Sequence, residues 1–152
     1  MKRKTSKSVI LFIIISVTVY AAYYVSAHLL QLALIQGDSM LPAYHNMQLV
    51  MIDKQCREPQ REEVILFLCD ELDAVLIKRV VAVPGDVLTV QDGKLAINGA
   101  ATDIPWKSEE DINITLSADE YFVVGDNYDA SIDSRSDKVG MITGADIIGK
   151  VY

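Results

Sequence analysis

A serine and a lysine that lie far apart in this chain are the side chains whose types and surroundings could do chemistry together. Ser39 lies in the segment Gly37-Asp38-Ser39-Met40-Leu41-Pro42, and Lys78 opens the segment Lys78-Arg79-Val80-Val81. A serine hydroxyl is a weak nucleophile at neutral pH and needs a neighbouring base. Of the two histidines, His28 lies in an apolar run and His45 has no acidic residue near it in the sequence. A lysine is therefore the leading candidate for the base, since Ser-Lys pairs are a known variant of the catalytic triad.

Lys78 is unusual because it interrupts an apolar run. The segment 74–83 is otherwise aliphatic apart from Arg79, which follows Lys78 directly. Successive side chains of a strand point to opposite faces, so one of the two cations must share a face with aliphatic neighbours. The alternative is a solvent-facing lysine whose stem lies over apolar surface. A desolvated lysine has a lowered pKa, and a neutral amine can accept the proton of a serine.

A third segment is dense in small, polar and charged side chains and follows a predicted strand. It reads Gly125-Asp126-Asn127-Tyr128-Asp129-Ala130-Ser131-Ile132-Asp133-Ser134-Arg135. Such a segment is typical of a solvated loop, and a cation site built from Asp126, Asp129 and Asp133 is an alternative. The spacing lacks the ligand order and terminal glutamate of an EF-hand loop, so the pattern does not favour a metal.

The N-terminal part of the sequence predicts a membrane anchor. No charged side chain occurs from Val9 to Leu30, and as a helix this run would be about 33 Å long at ~1.5 Å per residue. That length is enough to cross a bilayer core of about 30 Å. Basic residues without any acidic one precede the run, which predicts a cytoplasmic N-terminus: Lys2, Arg3, Lys4 and Lys7. We therefore expect a cytoplasmic segment over residues 1–8, a single-pass anchor in the cell membrane over 9–35 and an extracytoplasmic domain over 36–152.

A cleavable signal peptide is the alternative interpretation of the same segment. Val25-Ser26-Ala27 has the small-residue pattern of a cleavage site. The apolar run is longer than an ordinary h-region of about 7–15 residues, and it continues through Leu32, Leu34 and Ile35. Both observations favour an uncleaved anchor.

The charge and the cysteines restrict the function classes. The net charge is −7, and because residues 1–30 carry +4, residues 31–152 carry −11. So acidic a domain argues against nucleic acid or anionic lipid as its partner. The two cysteines, Cys56 and Cys69, could form a disulfide outside the cytoplasm or remain separate thiols. They are poor metal ligands because no second cysteine pair or histidine accompanies them.

Beyond the apolar run, the sequence changes to short β-type segments separated by turn residues. This pattern predicts a small mostly-β domain. Asp92-Gly93 between two such runs predicts a hairpin. Residues 100–119 are polar and poorly periodic, and predict a connecting loop. The predicted strands are 49–52, 64–68, 74–83, 87–90, 94–97, 121–124 and 147–152.

Together these segments resemble the bacterial type I signal peptidase family, serine peptidase family S26. Members carry a Gly-x-Ser-Met-x-Pro box just past the anchor, a Lys-Arg-Val-Val-x-x-Pro-Gly-Asp box and a Gly-Asp-Asn…Ser-x-Asp-Ser-Arg box. All three occur here in order, as residues 37–42, 78–86 and 125–135. The resemblance implies the family's mostly-β catalytic domain behind one transmembrane helix. It also implies a serine endopeptidase that removes signal peptides from secreted preproteins after a small-x-small sequence, with no cofactor and in association with the secretion machinery.

The resemblance also implies residue roles. Ser39 would be the nucleophile and Lys78 the general base, with Ser131 orienting the lysine. The backbone N–H of Ser39 would supply one oxyanion donor. Charged residues of the second and third boxes would brace the site: Arg79, Asp126, Asp133 and Arg135. The residues after the nucleophile are expected to contribute to substrate binding, the first two either as a hydrophobic rim at the lipid surface or as core packing: Met40, Leu41 and Pro42.

A few positions depart from the family's common pattern: Gly37, Ala43, Ala82 and Tyr128. Gly37 stands where some members have a serine whose hydroxyl is the second oxyanion donor, so that donor must come from elsewhere. The short chain also predicts that the extra domain of larger members is absent. Two other functions stay open: a Ser-Lys peptidase that cleaves itself or one dedicated partner, and a non-catalytic anchored β domain that binds peptides.

Overall fold

The structure is a computed structural model that describes residues 7–91, 93–106 and 112–152. Within these ranges the chain forms one α-helix, α1, over Lys7–His28 and then strands alone, apart from a short 3-10 turn over Asp70–Leu72. The helix α1 buries none of its residues against the domain. Its mean hydropathy of 2.2 and its length make it the one helix of the described part that could cross a membrane.

Eleven strands follow α1 in the described residues. In chain order they are β1 Leu30–Leu34, β2 Leu49–Asp53, β3 Val64–Cys69, β4 Ala74–Ala82, β5 Val87–Gln91, β6 Lys94–Ile97, β7 Ala100–Pro105, β8 Ile112–Thr115, β9 Glu120–Val124, β10 Ile142–Thr143 and β11 Ile147–Val151. They form a seven-stranded sheet in the order β1-β2-β11-β3-β4-β9-β10 and a four-stranded sheet in the order β7-β6-β5-β8. The prediction of a mostly-β fold behind one apolar helix is confirmed.

The helix ends earlier than the predicted anchor segment 9–35. After His28 and the single residue Leu29, the chain enters β1, which pairs with β2 in the register Leu30↔Asp53 and Leu34↔Leu49. An apolar run does not by itself distinguish a continuing helix from a strand, which is why composition extended the anchor too far. The last part of the apolar run therefore belongs to the sheet.

The prediction that residues 100–119 form a connecting loop is wrong. β7 pairs with β6, and β8 pairs with β5. Both are outer strands of the small sheet, and most of their side chains are exposed or half-buried. The sequence of β7 lacks the alternation that identifies a half-buried strand, and the alternation in β8 extends over only four residues. The strands on either side of the predicted Asp92-Gly93 turn do pair as a hairpin, although Asp92 lies outside the described residues.

Strands β4 and β9 join the two sheets through the core. They pair in the register Arg79↔Val124 and Val80↔Val123. One cluster of buried side chains lies within the large sheet around Val80 and Val123. A second cluster connects the large sheet to the small one through Phe122, which is fully buried and whose ring stacks on Trp106 at 6.1 Å. This double contact fixes the position of the small sheet relative to β4, the strand that carries Lys78.

Phe122→Ala is therefore expected to destabilise the whole domain. Truncating a fully buried phenylalanine removes its apolar contacts and leaves a cavity, which lowers the free energy of unfolding by roughly 3–5 kcal/mol. Leu68→Ala, in the adjoining part of the sheet at 44% exposure, should change it by less than about 1 kcal/mol. Urea unfolding in detergent micelles measures both, and equal effects would contradict the assigned core.

Candidate active site

Ser39 lies in the connection between β1 and β2, next to the wall of a cleft. Gly37 has a φ of +91°, a left-handed conformation that favours glycine. The Gly37 N–H donates a hydrogen bond to Asn46 Oδ1 at 3.0 Å. In the described residues nothing accepts a hydrogen bond from the Ser39 N–H. The turn therefore leaves the amide of the serine itself available to a ligand.

Lys78 lies on β4 and is the cation that faces the interior. Its side chain is 3% exposed, whereas Arg79 on the opposite face is half-buried. The Nζ atom of Lys78 donates to Ser39 Oγ at 2.9 Å and to the Ile77 carbonyl at 2.8 Å. The strand alternation thus brings an amine and a hydroxyl from two distant segments into hydrogen-bond contact.

The environment of Lys78 disfavours its charged form. Burial lowers its pKa from 10.5 to about 8, although Asp133 and Asp126 act in the opposite direction. Neither carboxylate forms an ion pair with Lys78; each is engaged by an arginine instead. At pH 7 about one molecule in ten then carries the neutral amine, against about one in three thousand at the ordinary lysine pKa.

The third box supplies two arginine–carboxylate pairs beside the amine. Arg79 contacts both oxygens of Asp126, at 2.8 and 2.6 Å. Arg135 contacts both oxygens of Asp133, at 2.8 and 2.9 Å, and Asp133 also accepts the Gly125 N–H at 3.0 Å. Burial acts to raise the pKa of Asp133, but these hydrogen bonds outweigh it and the pKa lies below its usual value. The bidentate arginine contacts therefore hold both carboxylates in place.

Asn127 is a residue of the site that sequence reasoning missed. Its backbone N–H donates to the Ser39 carbonyl at 2.9 Å, and its Nδ2 donates to the Asp38 carbonyl at 3.0 Å. Gly125 lies against the same turn, because a Cβ there would come within 2.6 Å of the Ser39 carbonyl oxygen. These contacts hold the turn that carries Ser39 against the third box. The Gly-Asp-Asn order marked both residues, but only the fold identifies their partner.

Four further residues are predicted from the sequence to belong to the site: Ser131, Met40, Leu41 and Pro42. Ser131 Oγ is shielded from solvent beside Gly125, while the hydrogen bonds of Lys78 go to Ser39 and Ile77. Met40 is 1% exposed and packs in the core beneath the turn, so core packing describes it and a lipid-facing rim does not. Leu41 is half-buried and Pro42 is exposed. Neither of them nor Met40 lines the cleft next to Ser39.

That cleft has a volume of about 520 Å³, and Ser39 and Lys78 are among the residues that line it. Its walls are mostly apolar and come from β1, β2, β3 and β4, including Ala33, Ile35, Val50, Leu66, Leu76 and Ile77. A mostly apolar cleft that includes a serine hydroxyl and a buried amine suits an extended, largely apolar peptide segment.

The cysteines and acidic residues give no sign of a disulfide or a metal. Both Cys56 and Cys69 are free thiols, and Cys69 contacts the Lys138 carbonyl. Over the described ranges no group of three His, Cys, Asp or Glu side chains could hold a metal ion.

Fold and site together define a mostly-β domain with an apolar N-terminal helix and a serine hydroxyl beside a buried amine. The family model described as signal peptidase, peptidase S26, matches residues 6–152. Signal peptidase I of Bacillus licheniformis is 31% identical over 139 aligned positions, which cover 80% of this chain and 75% of that protein. Signal peptidase I P of Bacillus subtilis subsp. natto is 26% identical over 165 positions, with 97% and 89% covered.

A crystal structure of a signal peptidase I from Enterococcus faecalis V583 has a similar fold. It superposes with a TM-score of 0.50 at 26% identity, covering 62% of this chain and 97% of that one. The chain therefore belongs to the signal peptidase family, peptidase S26. It is a serine endopeptidase that cleaves signal peptides, and its substrates are secreted preproteins.

Gly125→Ala is expected to impair catalysis by displacing the turn that carries Ser39. The added methyl would lie 2.6 Å from the Ser39 carbonyl oxygen and 2.7 Å from Ser131 Cβ. A shift of about 1 Å in a reacting group can cost roughly a hundredfold in rate, so we expect a loss of this order in kcat/KM.

Gly144→Ala is the matched control for this variant. Its methyl would meet Asp119 Oδ1 at 2.5 Å, the movable end of a side chain away from Ser39, so activity should stay near wild type. Peptide cleavage rates of both folded variants are the measurement, and an unimpaired Gly125→Ala enzyme would refute the close packing described here.

Proposed function

We propose that this chain is a membrane-anchored signal peptidase in which Ser39 is the nucleophile and Lys78 the general base. The observation that carries the proposal is the 2.9 Å contact between Lys78 Nζ and Ser39 Oγ. It is supported by the lowered pKa of Lys78, about 8, which keeps a usable fraction of the amine neutral.

The reaction is proposed to proceed through an ester to Ser39. The neutral Lys78 amine takes the proton from Ser39 Oγ while that oxygen attacks the scissile carbonyl carbon. The resulting oxyanion accepts a hydrogen bond from the backbone N–H of Ser39. Lys78 then returns the proton to the leaving amine, the carbon–nitrogen bond breaks and an acyl-enzyme remains. Lys78 next takes a proton from water, whose oxygen attacks the ester carbonyl carbon. The bond between that carbon and Ser39 Oγ then breaks, Lys78 returns the proton to Oγ, and the signal peptide leaves as a carboxylic acid that loses its proton to solvent.

The arginine–carboxylate pairs are proposed to brace this machinery. Asp126 with Arg79 holds β4 to the third box, and Asp133 with Arg135 fixes the shape of the third box itself; neither carboxylate pairs directly with Lys78. Their negative charges also stabilise the lysine ammonium that forms during the reaction. Ser131 lies beside Gly125 in the same box, and its orienting role is assigned from the family resemblance. Met40 is assigned to packing, and substrate contact is assigned to the apolar cleft.

The proposed orientation puts the cleft at the outer surface of the membrane. Helix α1 would span the bilayer with the basic N-terminus in the cytoplasm. Exposed apolar side chains on the outer face of β1 and β2 support this placement, since they continue directly from the helix: Leu30, Leu32, Leu34, Leu49 and Met51. A signal peptide would then reach Ser39 from the lipid side, with small residues next to its cleavage site.

The alternative of self-cleavage at Val25-Ser26-Ala27 has less support. These residues lie in α1, and a helical segment would have to unwind before it could extend along the cleft. The non-catalytic alternative does not explain why a lysine is buried in contact with a serine hydroxyl, a costly arrangement for a residue that is rarely buried.

Ser39→Ala and Lys78→Met are each expected to abolish preprotein processing. The first removes the nucleophilic oxygen, and the second removes the proton acceptor while it retains an apolar side chain of similar length. Both variants should remain folded. Exposed residues of the same types, changed as Ser117→Ala and Lys94→Met, should leave processing intact. Conversion of a secreted preprotein to its shorter mature form, followed on a denaturing gel, measures the activity of all four variants. Normal cleavage by Ser39→Ala would refute the assignment of Ser39 as the nucleophile.

The pH dependence of cleavage should report the proton on Lys78. Because its pKa is lowered to about 8, the neutral base becomes scarcer as pH falls below that value. We expect kcat/KM to drop about tenfold per pH unit below pH 8 and to level off above it. Initial rates on a peptide without titratable side chains test this. A flat profile from weakly acid to alkaline pH would argue against Lys78 as the base.

A further inference from the structure

The connection between the helix and the catalytic sheet is unusually short. Helix α1 ends at His28 and β1 begins at Leu30, so Leu29 alone lies between them. Leu30 already pairs with Asp53 at the end of β2. A connection of one residue cannot act as a flexible tether. The direction of α1 relative to the sheet is therefore set by contacts at this junction.

Lys54 makes two such contacts, one to the connecting residue Leu29 and one to the last turn of α1. Its backbone N–H donates to the Leu29 carbonyl at 2.9 Å. Its Nζ reaches back and donates to the Ala27 carbonyl at 3.0 Å, in a partly buried position. The last carbonyls of a helix lack partners within the helix, and a cation near them also complements the helix dipole. Lys54 therefore ties the end of α1 to the end of β2.

The strands tied in this way are walls of the cleft. Ala33 and Ile35, in and just after β1, line it, and so does Val50 of β2. A change in the angle between α1 and these strands would move the cleft and Ser39 together relative to the helix axis.

From these contacts we propose that Lys54 is a positioning residue that holds the cleft at a fixed height and tilt above the membrane. The inference rests on the proposed function, since it needs α1 to span the bilayer. Lys54 is not in the cleft and does not touch Ser39 or Lys78. Its effect should accordingly depend on where the substrate is held: a preprotein inserted in the same bilayer needs the alignment, and a free peptide does not.

The test compares two substrates for the full chain. One is a preprotein co-reconstituted with the enzyme in phosphatidylcholine vesicles, and the other is a soluble peptide carrying the same cleavage site, assayed in detergent. For Lys54→Met we expect kcat/KM on the vesicle-bound preprotein to fall roughly tenfold, the effect of losing one charge-assisted hydrogen bond on the population of the aligned position. Cleavage of the soluble peptide should stay within about twofold of wild type, an allowance for a surface change outside the cleft.

Two matched variants define the interpretation. Lys54→Arg keeps a cation able to reach the Ala27 carbonyl and should restore most of the vesicle activity. Lys94→Met, an exposed lysine on the small sheet, should change neither activity. Equal losses on both substrates would mean that Lys54 serves only stability, and an unchanged vesicle rate would mean that it aligns nothing; either result overturns the proposal. Failure of the proposed function itself would appear separately, as cleavage of the soluble peptide by Ser39→Ala.

Discussion

The burial of one amine is the constraint on which the site depends. Lys78 is nearly inaccessible to water, and its Nζ contacts a serine hydroxyl and a backbone carbonyl but no carboxylate. A direct ion pair would stabilise the ammonium and raise the pKa of the lysine. The two neighbouring carboxylates are instead occupied by Arg79 and Arg135. The domain thus keeps negative charge near the amine without a direct ion pair that would raise the pKa of Lys78.

The rest of the fold holds three distant segments around that amine. Strand β4 carries Lys78 through the middle of the sheet, and its pairing with β9 leads directly into Gly125 and the third box. Asn127 then holds the turn that carries Ser39 through hydrogen bonds to the Ser39 and Asp38 carbonyls. The missing side chain of Gly125 permits the close approach. The apolar cleft follows from the same arrangement, because aliphatic residues of β1 to β4 line it together with Ser39 and Lys78.

The local sequence pattern predicts many of the strands, but it does not predict which distant segments come into contact. The β-branched run around Lys78 identified β4, and strand alternation required one of two cations to be buried. Composition alone does not separate strand β1 from a continuing helix, because Leu30–Leu34 is apolar apart from Gln31. Strands β7 and β8 lie at the edges of the small sheet and are short or rich in small and polar residues, a composition that is as typical of a loop as of an exposed edge strand. Asn46, Asn127 and Lys54 act through backbone carbonyls and amides, and no sequence spacing indicates which of these they reach.

A direct titration of Lys78 tests the central claim most sharply. In the full chain labelled with carbon-13 at lysine, the Cε signal of Lys78 can be assigned by its loss in Lys78→Met and followed by NMR across pH in detergent micelles. The account predicts a midpoint near pH 8. A midpoint at the ordinary lysine value of 10.5 would show that the amine is fully charged at neutral pH and would contradict its role as the base.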